Sequence, residues 1–258
     1  MARGAGRARG HAAGRVTRAT RGVALVTGAG QRVGQAIALH LGARGWRIAV
    51  HHHGSAEGAT QTVDEIRRAG GDATAVRANL TSPDGASQLV AQVVKEMGAL
   101  NALVNSAAGM VKSAIGSTSA AQFDEIIALN LRAPFLLSQA AAAAMPEGGA
   151  IVNIADHMAE EPWPDYAVHG VSKAGVIALT RHMAAALAPR IRVNAVAPGF
   201  VLAPAGTPQA VIDRFVAATP LKRIGSPKDV AEAVAYLLDA GFVSGETIHV
   251  DGGRRVRP

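Results

Sequence analysis

The 258-residue chain contains no cysteine, which excludes disulfides, thiolate zinc sites and a cysteine nucleophile. Aromatic residues make up only 3% and charged residues 17%, against 49% apolar, a globular composition well away from that of disordered chains. No apolar run approaches the roughly 18 residues that mark a membrane span. The longest candidate, Ala133–Met145, is broken by Ser138 and Gln139, so no membrane partner is expected. Acids are missing from both ends. Residues 1–22 hold six arginines (Arg3, Arg7, Arg9, Arg15, Arg18, Arg21), and residues 254–258 hold three more (Arg254, Arg255, Arg257). The formal charge of +7 therefore sits in two tails, and the body between them carries 17 bases against 19 acids. A strongly basic whole would point to nucleic acid; a slightly acidic body does not, and no nucleic-acid partner is expected.

Residues 1–22 also lack the apolar stretch of a secretory signal. Gly4, Gly6, Gly10 and Gly14 oppose the amphipathic helix of a transit peptide, and no aromatic side chain is present to stack on bases. They are expected to form a basic, disordered extension ahead of a single domain spanning 23–258, in a cytoplasmic protein.

What the body does have is an alternation of strand and helix signals. Short apolar runs at Val23–Thr27, Arg47–His51, Ala73–Ala78, Leu100–Asn105, Ala150–Ala155, Ile191–Ala197 and Thr247–Val250 read as strands. Helical spacing marks Gln35–Arg44, Val63–Ala69, Gly85–Met97 (capped by Ser82 or Asp84), Ala120–Met145, part of Asp165–Leu187, and Lys228–Asp239. Strands apolar on both sides, separated by helices, imply an α/β fold: one doubly wound parallel sheet of Rossmann type covered on both faces. The first strand-to-helix turn, Thr27-Gly28-Ala29-Gly30-Gln31-Arg32-Val33-Gly34, lets backbone approach a pyrophosphate at a helix N-terminus. NAD-specific folds usually follow the second strand with an acid. Here the strand ends in His51-His52-His53-Gly54-Ser55, with the first acid at Glu57. Arg32, His51, His53 and Ser55 suit a 2′-phosphate, so NADPH is the expected cofactor. Consecutive strand residues point to opposite faces, which argues against a metal at the three histidines.

With these motifs in place, the chain from Val23 to about Arg254 resembles the short-chain dehydrogenase/reductase family. The resemblance is carried by the Thr27–Gly34 turn, Asn105-Ser106-Ala107, Asn130, Ser172-Lys173, Arg192-Val193-Asn194 with Pro198-Gly199, and Asp251-Gly252-Gly253. Within the family it looks most like the pteridine reductase and dihydromonapterin reductase branch. The marks are Arg32 in place of a glycine, His51, His53 and Ser55 after the second strand, and Asp156 where the common catalytic Ser stands. The resemblance implies cofactor contacts from Gly28, Gln31, Arg32, Val33, Gly34, Asn79, Leu80, Asn105, Ser106, Ala107, Lys173, Pro198, Gly199 and Val201. It implies substrate contacts from Met110, Asp156, Tyr166 and Phe200, and a homodimer or homotetramer.

Two departures stand out. The family's Tyr-x-x-x-Lys carries His169 four residues before Lys173, with Tyr166 one turn earlier, and Met110 replaces the aromatic residue that stacks on a pterin. Residues i and i+4 share a helix face, so His169 lies over Lys173 as the Tyr would. Asp156, His169, Lys173 and Asn130 are the expected catalytic set, with Asp156 orienting His169 as the proton donor. The expected reaction is NADPH-dependent reduction of a pterin or dihydrofolate C=N bond. The alternatives are reduction of a 3-oxoacyl or ketone substrate, or an NADP-binding protein without turnover. His157 and His182 are expected at the surface or in caps. Phe200–Lys222 is expected to form a lid over the substrate.

Overall fold

In the computed structural model, residues 21–204 and 206–256 are described; the basic extension, apart from Arg21 and Gly22, lies outside them. Seven strands form one sheet in the order β3-β2-β1-β4-β5-β6-β7. They are β1 (Val23–Val26), β2 (Arg47–His52), β3 (Ala73–Arg77), β4 (Ala102–Asn105), β5 (Gly149–Ile154), β6 (Ile191–Pro198) and β7 (Thr247–Val250). Every pairing is parallel. Parallel neighbours need a crossover, and here the crossovers carry helices α1 (Arg32–Ala43), α2 (Ala56–Arg68), α3 (Gly85–Met97), α4 (Ala120–Ile127), α5 (Ala133–Ala144), α6 (Ala167–Leu187), α7 (Gln209–Ala218) and α8 (Pro227–Asp239).

The alternation of side chains along each strand divides the core. Ala24, Val26, Ile48, Val50, Val104 and Val152 pack with residues of α1, α2 and α8 on one face. Val23, Leu25, Ala49, Leu103, Ile151 and Val193 pack with residues of α3, α5 and α6 on the other. Side chains such as Leu25, Leu103 and Ile151 are completely covered, each contributing roughly 1.5–3 kcal/mol of apolar burial. The sheet order reverses between β1 and β4. Their crossovers leave on opposite faces, so a crevice opens beyond the strand ends, where ligands of this architecture bind.

Four local features differ from the sequence reading. The second helix begins seven residues earlier, at Ala56; its first half offers Ala59 and Thr62 to the core rather than large apolar side chains. The long helix at 120–145 is interrupted at Ala128–Arg132 by a π-helical turn that contains Asn130. Wide turns of this kind recur at functional sites. Ala120–Ala144 is also long and apolar enough to cross a membrane by length and composition, although Ser138 and Gln139 had argued against a span. Half of that run is buried within the fold, against α3 and α6 among others. Finally, Phe200–Lys222 contains the regular helix α7.

Candidate active site

The crevice is built first by Thr27. Its Oγ1 accepts the N–H groups of Ser106 (2.9 Å) and Ala107 (3.0 Å), fastening the end of β1 to the end of β4. Gly28 follows with φ +64, and Gly34 sits so close to it that a Cβ there would lie 2.3 Å from the Gly28 carbonyl oxygen. Any side chain at Gly34 would push α1 out of the turn. Gln31 and Arg32 are exposed at the start of α1, and Val33 is half-buried. Arg32 occupies the left-handed region at φ +53, a conformation that costs a non-glycine residue about 1–2 kcal/mol. Its guanidinium reaches across the crevice to the Leu202 carbonyl (3.3 Å), beside the buried Val201.

His51 does not have the role its sequence position suggested. The Gly28 N–H donates to its Nδ1 (3.2 Å), which leaves Nε2 to donate to the Ala78 carbonyl (3.2 Å). The ring is 2% exposed, and burial pushes its pKa down to about 4 against the pull of the Ala78 bond. It is a neutral brace between the glycine turn and the end of β3, with no nitrogen left for a phosphate. His53 is exposed and Ser55 half-exposed. Asn79 is exposed, with its Oδ1 accepting the N–H and hydroxyl of Thr81 (3.0 and 2.7 Å). Leu80 is part of the core, leaving only its backbone for a ligand. Asn105 likewise works inside the fold, donating to Ser138 Oγ (3.0 Å) and Asn153 Oδ1 (2.8 Å).

Asp156, His169, Lys173 and Asn130 do come together. Lys173 Nζ donates to the Ile154 carbonyl (2.8 Å) at the end of β5. Burial pushes its pKa down to about 8, with the charge of Asp156 acting in the other direction. Asn130, 1% exposed, pairs with the Gly109 backbone through both amide atoms (2.8 and 2.9 Å) and donates to Ser172 Oγ (3.1 Å). The Gly109 oxygen also lies 3.1 Å from His169 Nδ1. Asn130 Nδ2, a donor, lies 3.4 Å from the same nitrogen, but the shorter contact is to the carbonyl, which can only accept, and it assigns the hydrogen to Nδ1. That leaves Nε2 facing Asp156 Oδ2 at 3.8 Å, beyond hydrogen-bond length but within Coulombic reach, and without a protein hydrogen-bond partner. Burial opposes ionisation of Asp156. The bonds from His157 and the Met158 N–H, with His169 close by, outweigh it and hold the carboxyl below the usual carboxylate range.

Tyr166 falls outside this group. It is the N-cap of α6 with non-helical backbone, so helical spacing alone does not place it on the His169–Lys173 face. Its ring sits 6.2 Å from Trp163. Phe200 stacks flat on Phe215 of α7 at 4.1 Å, and Gly199 donates to the Val250 carbonyl (2.9 Å). Met110 is 52% exposed. His157, expected at the surface, is buried; its Nδ1 lies 3.1 Å from Asp156 Oδ1 and 3.3 Å from the Pro198 carbonyl. The signal that could have found it is its place directly after Asp156, at the end of an apolar strand. His182 is exposed, as expected.

Comparison with known proteins shows what the chain as a whole is similar to. The family profile described as enoyl-(acyl carrier protein) reductase matches residues 28–255. The 3-oxoacyl-(acyl-carrier-protein) reductase FabG of Staphylococcus aureus is 36% identical over 237 residues, covering 89% of this chain and 96% of that protein. Among solved structures, the angucycline C-6 ketoreductase LanV with bound NADP superposes with a TM-score of 0.87 at 32% identity, covering 92% of this chain and 97% of that one. The promiscuous reductase LugOII, which catalyses keto-reduction at C1 in lugdunomycin biosynthesis, gives a TM-score of 0.87 at 32% identity, covering 92% and 99%.

Proposed function

The chain belongs to the short-chain dehydrogenase/reductase family, and from that premise we propose that it is an NADPH-dependent ketoreductase whose proton donor is His169. The observation that carries this reading is the cluster of buried His169 and Lys173 with half-buried Asp156, with an unpartnered imidazole Nε2, at the crevice end of the sheet. The nicotinamide cofactor, when bound, supplies the hydride that goes to the carbonyl carbon. His169, as an imidazolium with a hydrogen on each nitrogen, supplies the proton for the carbonyl oxygen from Nε2 and is left neutral with its hydrogen on Nδ1, so that hydride and proton together make the alcohol. Asp156 balances the charge of the imidazolium, and Lys173 adds a fixed cation beside the reacting groups. A positioned acid of this kind contributes roughly 10²–10⁴-fold in rate.

The residues present fit an NADP-type cofactor. The contact between Gly34 and Gly28 keeps the turn free of side chains where a pyrophosphate would lie. Beyond β2 the exposed groups are His53 and Ser55, with Arg32 at the turn, and the first acid after His53 is Glu57 on α2. The 2′-phosphate reading now rests on Arg32, His53 and Ser55, without His51. Replacing Arg32 with Ala should weaken NADPH binding roughly ten- to hundredfold, the worth of a hydrogen bond to a charged group, and leave NADH binding nearly unchanged. Fluorescence titration with each cofactor measures this. Equal affinity of the intact protein for NADPH and NADH would overturn the assignment.

The relatives named above support a ketone, with 3-oxoacyl thioesters the leading class. Met110, half-exposed and not aromatic, offers a pterin no stacking surface. Arg32, the His53–Ser55 segment and Asp156 are the features that favour the pterin reading. Assaying NADPH oxidation with 3-oxoacyl thioesters, polycyclic ketones and dihydropterin separates the two: turnover confined to dihydropterin would replace the ketone reading.

A further inference from the structure

We propose that His157 is a positioning residue that holds Asp156 toward His169 and is itself held by an aromatic stack on the substrate side of the crevice. The inference rests on Asp156 and His169 acting as the proton-donating pair. The two oxygens of Asp156 have different work. Oδ1 accepts the Met158 N–H at 2.8 Å and faces His157 Nδ1 at 3.1 Å, whereas Oδ2 faces His169 Nε2. Both oxygens near His157 Nδ1, those of Asp156 and Pro198, are acceptors, so this nitrogen carries a hydrogen, which bonds to the Pro198 carbonyl with Asp156 Oδ1 alongside at ion-pair distance. With Oδ1 bonded to the Met158 N–H and paired with His157 at ion-pair distance, rotation of the carboxylate would lose both contacts, and Oδ2 stays aimed at His169.

What pins His157 is an aromatic row. Its ring meets Trp163 edge to face at 5.5 Å. Trp163 stacks on Phe215 of α7 at 5.5 Å, and Phe215 stacks on Phe200. Arg254 lies 5.0 Å over Phe215, gripped by both oxygens of Glu161 at 2.7 and 2.6 Å. The chain has only two Trp, two Tyr and five Phe, so meeting of Trp163, Tyr166, Phe200 and Phe215 here concentrates a scarce residue type. Packed aromatic rings transmit displacement rather than absorb it. The segment that follows β6 and the carboxylate behind His169 thus form one mechanical unit.

The charged groups around His157 come from several elements. Besides Asp156 and His169, Lys173 reaches in from α6. Glu160, Glu161, His249 of β7, Arg254 and Arg255 line, with His157, a cavity of about 180 Å³. Glu160 lies 3.4 Å from His249 Nε2 and 3.6 Å from Arg255 Nε. Neither pair includes Asp156, and the side-chain nitrogen beside its Oδ1 is that of His157.

Two conservative variants separate this role from simple packing. The amide nitrogen of an Asn can stand where His157 Nδ1 stands, whereas that of a Gln stands where Nε2 does. His157→Gln should lower kcat roughly ten- to hundredfold, the scale of a misaimed catalytic group, with the NADPH Kd within about twofold of the intact protein. His157→Asn should return kcat to within about threefold. A ¹³C titration of the Asp156 carboxyl in the free protein needs no substrate. Its midpoint should rise in His157→Gln, which lacks the donor to Oδ1, and fall back in His157→Asn; the acid limb of the kcat/KM profile should move the same way. Equal behaviour of the two variants, or an unmoved Asp156 midpoint in His157→Gln, overturns the proposal. Absence of turnover in the intact protein, with the Asp156 midpoints moving as stated, would count against the acid-pair reading and leave the positioning contact standing.

Discussion

Replacing His169 with Phe is expected to lower kcat for ketone reduction by roughly 10²–10⁴-fold, the contribution of a positioned general acid, while NADPH still binds. The two effects separate because the side chain has two surroundings. Phe fills the space of the imidazole, and the Gly109 oxygen keeps its bond from Asn130 Nδ2. The glycine turn and Lys173 are untouched. What disappears is Nε2, the nitrogen that lacks a protein partner and faces Asp156. The half-buried Asp156 then has lost one of its neighbours, and the carbonyl oxygen has lost its proton source. Steady-state rates and a cofactor titration on the same preparation measure both effects. An unchanged kcat would remove His169 from the reaction.

The second large effect concerns stability. Asn130 is buried in the π-helical turn and ties Gly109 and Ser172 to it through three bonds. Asn130→Ala leaves the Gly109 N–H without its partner and opens a small cavity. An orphaned buried polar group and lost packing together cost roughly 2–4 kcal/mol, which for a domain of this size lowers Tm by about 5–15 °C. Activity should fall further than stability alone implies, because Gly109 also accepts from His169 Nδ1. Gln61→Ala on the exposed face of α2, where the side chain makes one long bond to Glu57 (3.4 Å), should change stability by less than about 0.5 kcal/mol. Calorimetry on both variants checks the contrast; similar melting temperatures would show that Asn130 is not a structural tie.

The parts legible in the sequence are those that depend on short separations. Apolar strands, the Thr27–Gly34 turn, and the spacing of His169 over Lys173 all follow from local pattern and helix periodicity. Asp156 and Asn130 were readable only through the family resemblance. The parts that were not legible involve contacts far apart along the chain. His51 looks like a phosphate ligand until the Gly28 N–H and the Ala78 carbonyl are found to use both of its nitrogens. His157 looks like a surface residue until Pro198, 41 residues away, is brought against it. Glu161 and Arg254 are 93 residues apart, and no periodicity predicts that they clamp an aromatic stack. Tyr166 is the N-cap of α6, which begins at Ala167, so helical spacing alone does not place its side chain. The charge is informative only when counted by segment, since the overall basic excess belongs to the chain ends and the body carries 17 bases against 19 acids.

The proposed activity is NADPH-dependent reduction of a ketone with a histidine at the position of the family's tyrosine. Tracing the label from NADPH deuterated at C4 of the dihydronicotinamide tests it most directly, with a 3-oxoacyl thioester as substrate. The account predicts deuterium on the carbinol carbon of a single product stereoisomer, formed by the intact protein and essentially lost in His169→Phe. Tight NADPH binding with no deuterated product from any ketone would contradict it.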